Sequence, residues 1–164
     1  MRKLLFLLAL VSCLPACTTR YYLVRHAEKA SEAPDAELSA TGLARAGILR
    51  DSLLDKSIER IYASTVTRTQ QTAQPLATAL NLPLNLYRPD TTAGFITALK
   101  QISGMDVLVV GHSNNIPQIV QGLCGQNVAI ADDDFDNLFI VKITKAWGTT
   151  KKTLLQTTYG PPSP

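Results

Sequence analysis

The sequence predicts an α/β domain, a three-layer α/β/α sandwich around a mostly parallel central sheet. Two observations carry this. Short β-type runs at 21–24, 58–63, 84–87 and 105–110 alternate with stretches of helical periodicity. The first and fourth runs, Tyr-Tyr-Leu-Val and Met-Asp-Val-Leu-Val-Val, are nearly unbroken apolar segments, as expected of strands covered on both faces. A chain of 164 residues without an internal repeat fits one such domain, here placed at residues 18–160.

The first 17 residues are of another kind. Arg2 and Lys3 precede an apolar run from Leu4 to Leu14, and small residues follow at Ala16-Cys17. That is the pattern of an export signal, because a bilayer span needs about 20 apolar residues. Leu14-Pro15-Ala16-Cys17 resembles a bacterial lipobox, with Cys17 as the lipidated residue. Leu10-Val11-Ser12-Cys13 fits the same pattern but would leave an unusually short signal. The expected product is a cell-envelope lipoprotein facing the periplasm or the cell exterior, held to a membrane through Cys17. Loss of residues 1–17 removes two cations and no acid, so the net charge falls from +3 to +1. No basic field for nucleic acid exists. Cys124 would remain as a lone thiol without a disulfide partner, read as a small buried hydrophobe.

Taken in order, Tyr21–Val24 reads as the first strand, preceded only by Thr18-Thr19-Arg20. Polar residues and Pro34 make 27–37 a loop. Leu38-Ser39-Ala40-Thr41-Gly42 opens a helix with Ser39 or Thr41 as N-cap, and Leu43, Ala46, Leu49, Leu53 and Leu54 follow at helical spacing. Ile58–Ala63 is a strand, and Ser64-Thr65 caps a helix over Thr67–Leu80. After the strand Leu84–Tyr87, Arg88-Pro89-Asp90 turns the chain into a helix over Thr91–Ile102, with Phe95, Ala98, Leu99 and Ile102 inward. Met105–Val110 is the strongest strand. Ile116–Leu123 is a helix that tolerates Pro117 in its first turn. Asp132-Asp133-Asp134 reads as a solvated turn. Strands over Leu138–Thr144 and Thr153–Thr158 join through Trp147-Gly148, and residues 161–164 form a Pro-rich, disordered tail.

Both histidines of the chain stand directly after an apolar strand, in Val24-Arg25-His26 and Val110-Gly111-His112. Ligands of open α/β sheets bind outside the carboxyl ends of the strands. Arg68 follows the second strand, in the first turn of a helix, where the dipole disfavours a cation unless an anion is bound nearby. Two histidines and two arginines on one edge suit a phosphoryl group: a neutral imidazole attacks phosphorus while guanidinium groups neutralise its oxygens. The sequence lacks His-Glu or Cys-x-x-Cys metal spacing, a Walker-type loop and a Gly-x-Ser-x-Gly elbow, so neither a metal nor another cofactor is expected.

Leu23-Val24-Arg25-His26-Ala27-Glu28-Lys29 resembles the signature of the histidine phosphatase superfamily, the phosphoglycerate mutase-like proteins. Leu38–Gly42, Ser64–Ala73 and Val110–Asn114 resemble its further motifs, in family order. The resemblance implies a phosphoglycerate mutase-like fold and hydrolysis of phosphomonoesters without a metal. It makes His26 the nucleophile that becomes phosphohistidine, Arg25 and Arg68 the phosphate ligands, and His112 the group that completes the pocket. The family's proton donor has no clear counterpart: Ser113 follows His112, and Asp90 and Glu28 are the candidates, each with a structural alternative (a helix N-cap with Thr91, and a loop residue or partner of Lys29). The chain is short for a mutase, and the export signal turns the expected substrate toward a small extracytoplasmic phosphate ester. A phosphomutase or phosphotransferase, or a non-catalytic surface lipoprotein that binds phosphorylated ligands, are the alternatives.

Overall fold

The computed structural model describes residues 16–163. Cys13 and most of the expected signal lie outside them. Six strands form one mixed sheet in the order β3-β2-β4-β1-β5-β6. β1 (Cys17–Arg25), β2 (Ile58–Ser64), β3 (Leu84–Tyr87) and β4 (Asp106–Gly111) are mutually parallel, while β5 (Asn137–Ala146) and β6 (Thr149–Thr158) form an antiparallel hairpin on the β1 side. The three-layer α/β expectation therefore holds, with four parallel strands and an antiparallel edge.

Alternation along the strands builds the two faces. Tyr21 and Leu23 of β1 and Val107 and Val109 of β4 pack with α3 (Thr92–Leu99) and α4 (Asn115–Cys124) through Phe95, Leu99, Ile116, Ile119 and Leu123. Tyr22, Val24, Leu108 and Val110 point the other way, onto α1 (Ala40–Leu53) and α2 (Thr67–Leu80) through Leu49, Leu53, Ala73 and Leu76. β4, fully buried along its length, is the central beam.

Several elements differ from the expectation, each for a tertiary reason. β1 begins at Cys17, four residues early, because Thr18, Thr19 and Arg20 pair with Thr144, Ile143 and Lys142 of β5; their polar side chains hid a strand whose ladder is made elsewhere in the chain. Ser39 is the α1 cap, its Oγ accepting from the Gly42 N–H at 3.1 Å. Leu43 and Leu54, expected inward, are exposed. The α2 cap is not Ser64-Thr65. Asp35, arriving from the 27–38 loop, accepts the Thr67 N–H and hydroxyl at 2.8 Å each, and those bonds hold its carboxyl below the usual range. A 3-10 turn at Pro89–Thr91 precedes α3, whose Ala98 faces outward. Cys124 is half-buried. The described part of the tail is exposed at Pro161 and Pro162 and makes two hydrogen bonds: the Pro161 carbonyl accepts from Arg45 Nη1 at 2.9 Å and Ser163 Oγ accepts from the Phe135 N–H at 2.7 Å.

The loop after β1 is clamped by α1 and α2. Ala27 N–H donates to Thr72 Oγ1 (3.0 Å), Ser39 N–H to the Glu28 carbonyl (2.9 Å), and Leu38 N–H to Gln71 Oε1 (2.7 Å). Gly42 lies directly under Glu28. A methyl there would be driven into the Glu28 carbonyl oxygen, with Glu28 C and N each 3.1 Å away. Gly42→Ala is expected to destabilise the fold by about 1–3 kcal/mol, the usual range for overpacking, read as a lower urea midpoint with unchanged slope.

Candidate active site

Three adjacent parallel strands end together, and each delivers part of one site. Arg25 closes β1 opposite Gly111 at the end of β4. One residue on, the His26 N–H donates to the Gly111 carbonyl at 2.9 Å. The two imidazoles thereby stand 5.3 Å apart, centroid to centroid, in an edge-to-face arrangement. Neighbouring β2 ends at Ser64, and α2 then presents Arg68 from its first turn. Arg25, His26, Arg68 and His112 all line one open cleft of about 850 Å³, with Glu28, Lys29, Glu32, Val66, Pro89, Ser113, Asn114, Asp132 and Phe135 around its rim. All four residues picked from the sequence are thus brought together.

His26 is buried, and its Nδ1 lies 2.8 Å from the carbonyl of Ala27. A carbonyl only accepts, so Nδ1 carries the proton and the Nε2 lone pair is free. Burial above all, and electrostatic interaction with Arg68, His112 and Arg25, hold the His26 pKa down at about 3, against the lesser opposing effect of the Ala27 bond. His112 is lowered to about 4 by burial and then by Arg68 and Arg25. Both rings are therefore neutral at neutral pH.

The setting of His112 relies on residues the sequence did not single out. Its N–H donates to Asn115 Oδ1 at 2.8 Å, Asn115 Nδ2 donates to Tyr87 Oη at 3.3 Å, and that hydroxyl donates to the Val110 carbonyl at 3.3 Å. A side chain at Gly111 would collide with this chain, 2.5 Å from Asn115 Oδ1 and 2.7 Å from Tyr87 Oη. At the ring, His112 Nε2 meets Ser64 Oγ at 2.9 Å. The Thr69 hydroxyl donates to the carbonyls of Val66 (2.7 Å) and Ser64 (3.0 Å), so the Ser64 hydroxyl donates to Thr69 (2.8 Å). Ser64 then accepts from His112, which puts that ring's proton on Nε2. Ser64, read as a helix cap, is in fact the orienting partner of His112.

Both arginines leave donors unspent. Arg25 Nη1 is shared among the carbonyls of Ala131, Asp132 and Asp134 at 2.8, 2.8 and 3.1 Å, and its guanidinium lies 4.3 Å over the Phe135 ring. Arg68 Nη1 donates to the Pro34 carbonyl at 2.8 Å. The Nε of each is buried and has no partner among the described residues. Two unpartnered cationic N–H groups beside a free imidazole lone pair form an anion cradle. The Asp132–Asp134 segment is a turn with Asp132 and Asp133 exposed, as expected, and its backbone carbonyls also hold Arg25. Asp35, at the start of α2, is a second source of negative charge for the helix end where Arg68 sits; the helix dipole by itself does not require a bound anion there.

The two carboxylates considered as proton donors separate. Asp90 is exposed, bound to Arg88 through contacts of 3.2 and 2.7 Å, and does not line the cleft; it is not the N-cap of α3, which is Thr91. Glu28 does line the cleft, but its Oε1 accepts from Arg45 Nε at 2.8 Å and Nη2 at 2.7 Å, leaving Oε2 unpartnered. Asp132 is a further carboxylate at the rim. Among the described residues no cluster of three or more His, Cys, Asp or Glu could hold a metal ion. Cys17 is remote from this site, at the opposite end of β1, with its Sγ 3.1 Å from Ser103 Oγ.

The family model of the histidine phosphatase superfamily (branch 1) matches residues 21–88. An uncharacterized protein of Mycobacterium tuberculosis is 38% identical over 66 residues, 36% of this chain, and the match spans only 33% of that relative. Among solved structures, the protein histidine phosphatase SixA complexed with tungstate superposes with a TM-score of 0.60 at 21% identity, over 85% of this chain and 96% of that one. The phosphoserine phosphatase of Entamoeba histolytica in complex with 3-phosphoglyceric acid gives 0.61 at 15% identity, over 87% and 97%. At these identities the structures establish a shared fold.

The two histidines can be followed separately by imidazole NMR. Both are expected to stay neutral from pH 8 down to about 5, His26 as the Nδ1–H tautomer and His112 as the Nε2–H tautomer; a midpoint near 6.5 for His26 would contradict its burial. The sign for stability follows. Unfolded histidines titrate near 6.5 and the folded ones near 3 and 4, so between these values the unfolded chain binds more protons. Unfolding free energy should fall as the pH drops from about 6.5 toward 4.

Proposed function

We propose that this chain, which belongs to the histidine phosphatase superfamily, hydrolyses phosphomonoesters through a phosphohistidine formed on Nε2 of His26. The observation that carries the reading is the cradle itself: two unpartnered buried guanidinium Nε–H groups beside an imidazole whose lone pair is free.

The ester phosphate enters the cleft and takes the Nε–H donors of Arg25 and Arg68. The His26 lone pair attacks phosphorus, a P–N bond forms, and the P–O bond to the leaving group breaks. Nδ1–H, held on the Ala27 carbonyl, keeps the ring aligned and stabilises the positive charge that develops on it. The leaving oxygen takes a proton, for which Glu28 is the better placed of the two carboxylates considered from sequence and Asp132 an additional rim candidate. Water then attacks phosphorus, giving up a proton to that carboxylate, the P–N bond breaks, and phosphate leaves with His26 and the acid both restored. None of these steps calls on a metal. His112, fixed by Ser64 and Asn115, closes the pocket beside the transferring group.

A small phosphate ester outside the cytoplasm is the substrate class, supported by the export-type N-terminus and by the open cleft. A second reading, removal of phosphate from a protein phosphohistidine, is favoured by the likeness to SixA across nearly its whole chain. Both use the same nucleophile. The protein is proposed to be a lipoprotein anchored through Cys17.

Hydrolysis of an aryl phosphate tests the mechanism. His26→Ala is expected to lower kcat by at least about 10³-fold, and rapid quenching of the unaltered protein should trap acid-labile phosphate on His26. Equal rates for the two proteins would refute it. Arg68→Ala should cost roughly 10²-fold or more in kcat/KM, with little rescue by lysine, whose ammonium cannot reproduce the fork geometry of a guanidinium.

A further inference from the structure

We propose that the tip of the β5–β6 hairpin docks on an anionic phospholipid surface and holds the catalytic cleft facing away from the bilayer. This rests on the reading that the N-terminus tethers the chain to a membrane, and adds to it a surface and an orientation.

Polarity of the sheet comes first. Strands β1, β2 and β4 end at the cleft, so their starts define the opposite pole. β5 runs antiparallel to β1, pairing Lys145 with Cys17. The hairpin tip, Trp147-Gly148, therefore projects at the pole where Cys17, the proposed anchor, begins β1. The membrane that holds the lipid on Cys17 lies next to this tip.

The tip has the chemistry of a bilayer interface. Trp147 is 67% exposed. It occupies φ +52 in a two-residue hairpin turn whose next residue, Gly148, is at φ +74. Asparagine, aspartate or glycine ordinarily takes such a left-handed position, and a bulky indole there is unfavourable. Nothing in the fold requires it, since the ring is largely in solvent. Indoles favour the headgroup level of membranes, where one edge is wet and the body is apolar. On the two strands that lead to it stand Lys142, Lys145, Lys151 and Lys152, none paired with a carboxylate among the described residues. From residue 137 to 164 the chain carries these four lysines and no acid. On β1 itself, Arg20 adds a cation already matched by Asp106 at 3.1 Å. The acids at this pole, Asp51, Asp55, Glu59 and Asp106, belong to α1 and to the β2 and β4 side, with Asp51 paired with Arg50 and Asp55 with Lys56. The hairpin corner is thus a cationic patch around an exposed indole, complementary to anionic headgroups.

One consequence follows for the site. β1 runs nine residues from Cys17 to Arg25, about 26 Å at strand rise. That is several times the screening length of about 8 Å at physiological ionic strength. The cleft would open toward solvent, clear of the negative surface that would otherwise repel a phosphate ester.

Trp147 is the only tryptophan, so it reports directly. The full chain is reconstituted into vesicles of phosphatidylcholine alone or with phosphatidylglycerol, some carrying lipids brominated near the headgroup. The expected result is a blue shift and bromine quenching of Trp147 in the anionic vesicles, largely reversed in 1 M salt, where the screening length falls to about 3 Å. The combined Lys145→Glu, Lys151→Glu, Lys152→Glu protein should lose most of the quenching while keeping its aryl phosphatase rate. A vesicle-bound chain whose Trp147 emits as in water in both lipid mixtures would overturn docking and leave the tether standing. Quenching equal in both mixtures and unaffected by salt would overturn the anionic surface. A chain that binds neither vesicle would remove the tether and the docking together. The phosphatase assay, read in the same samples, separates each of these from a failure of the catalytic reading.

Discussion

One backbone hydrogen bond ties the site together: His26 N–H to the Gly111 carbonyl, the last rung between β1 and β4. Parallel pairing sets Arg25 level with Gly111, so the residue after each falls at the same height, and both are histidines. A slip of one residue in that register would put the two rings on different faces. The register is held over six paired positions by strands whose side chains are almost wholly buried. The core therefore fixes the spacing of the imidazoles, and the loops only finish the cleft.

Burial then decides the electronic state of that pair. Two imidazoles and two guanidinium groups in one pocket would repel if all were charged. Desolvation and the arginine charges keep both rings neutral, while each arginine is held by backbone carbonyls rather than by a carboxylate. Neither guanidinium at the pocket is thus neutralised by a direct carboxylate contact, and the Nε–H of each stays without a partner. A carboxylate directly on either guanidinium would have spent those donors. Glu28, the nearest acid to the nucleophile in sequence, is drawn aside by Arg45.

The molecule is polar from end to end. Its carboxyl pole holds the cleft, the acidic loop around Arg25 and the capped start of α2. The other pole holds the start of β1, the hairpin tip and the unpaired lysines. A mixed sheet makes this possible: the antiparallel β5 starts beside Val24 at the carboxyl pole and returns the chain to the start of β1.

From the sequence alone came the layered fold, the carboxyl edge as the site, and His26, His112, Arg25 and Arg68, because strand-end positions follow from local hydrophobic runs and parallel topology aligns those ends. The family motifs were legible for the same reason, as short contiguous stretches. Tertiary structure alone decided the rest. Ser64 is one hydroxyl among many until β2 lies beside β4. Asn115 and Tyr87 sit 28 residues apart and meet only at Gly111. Asp35 caps a helix 32 residues away, and the acidic loop wraps an arginine more than a hundred residues earlier. Thr18–Arg20 fell outside the first strand as read from sequence because their strand partners lie in β5. Local pattern reports which face a residue prefers; partner identity depends on chain closure over long separations, and one sequence carries no mark of it.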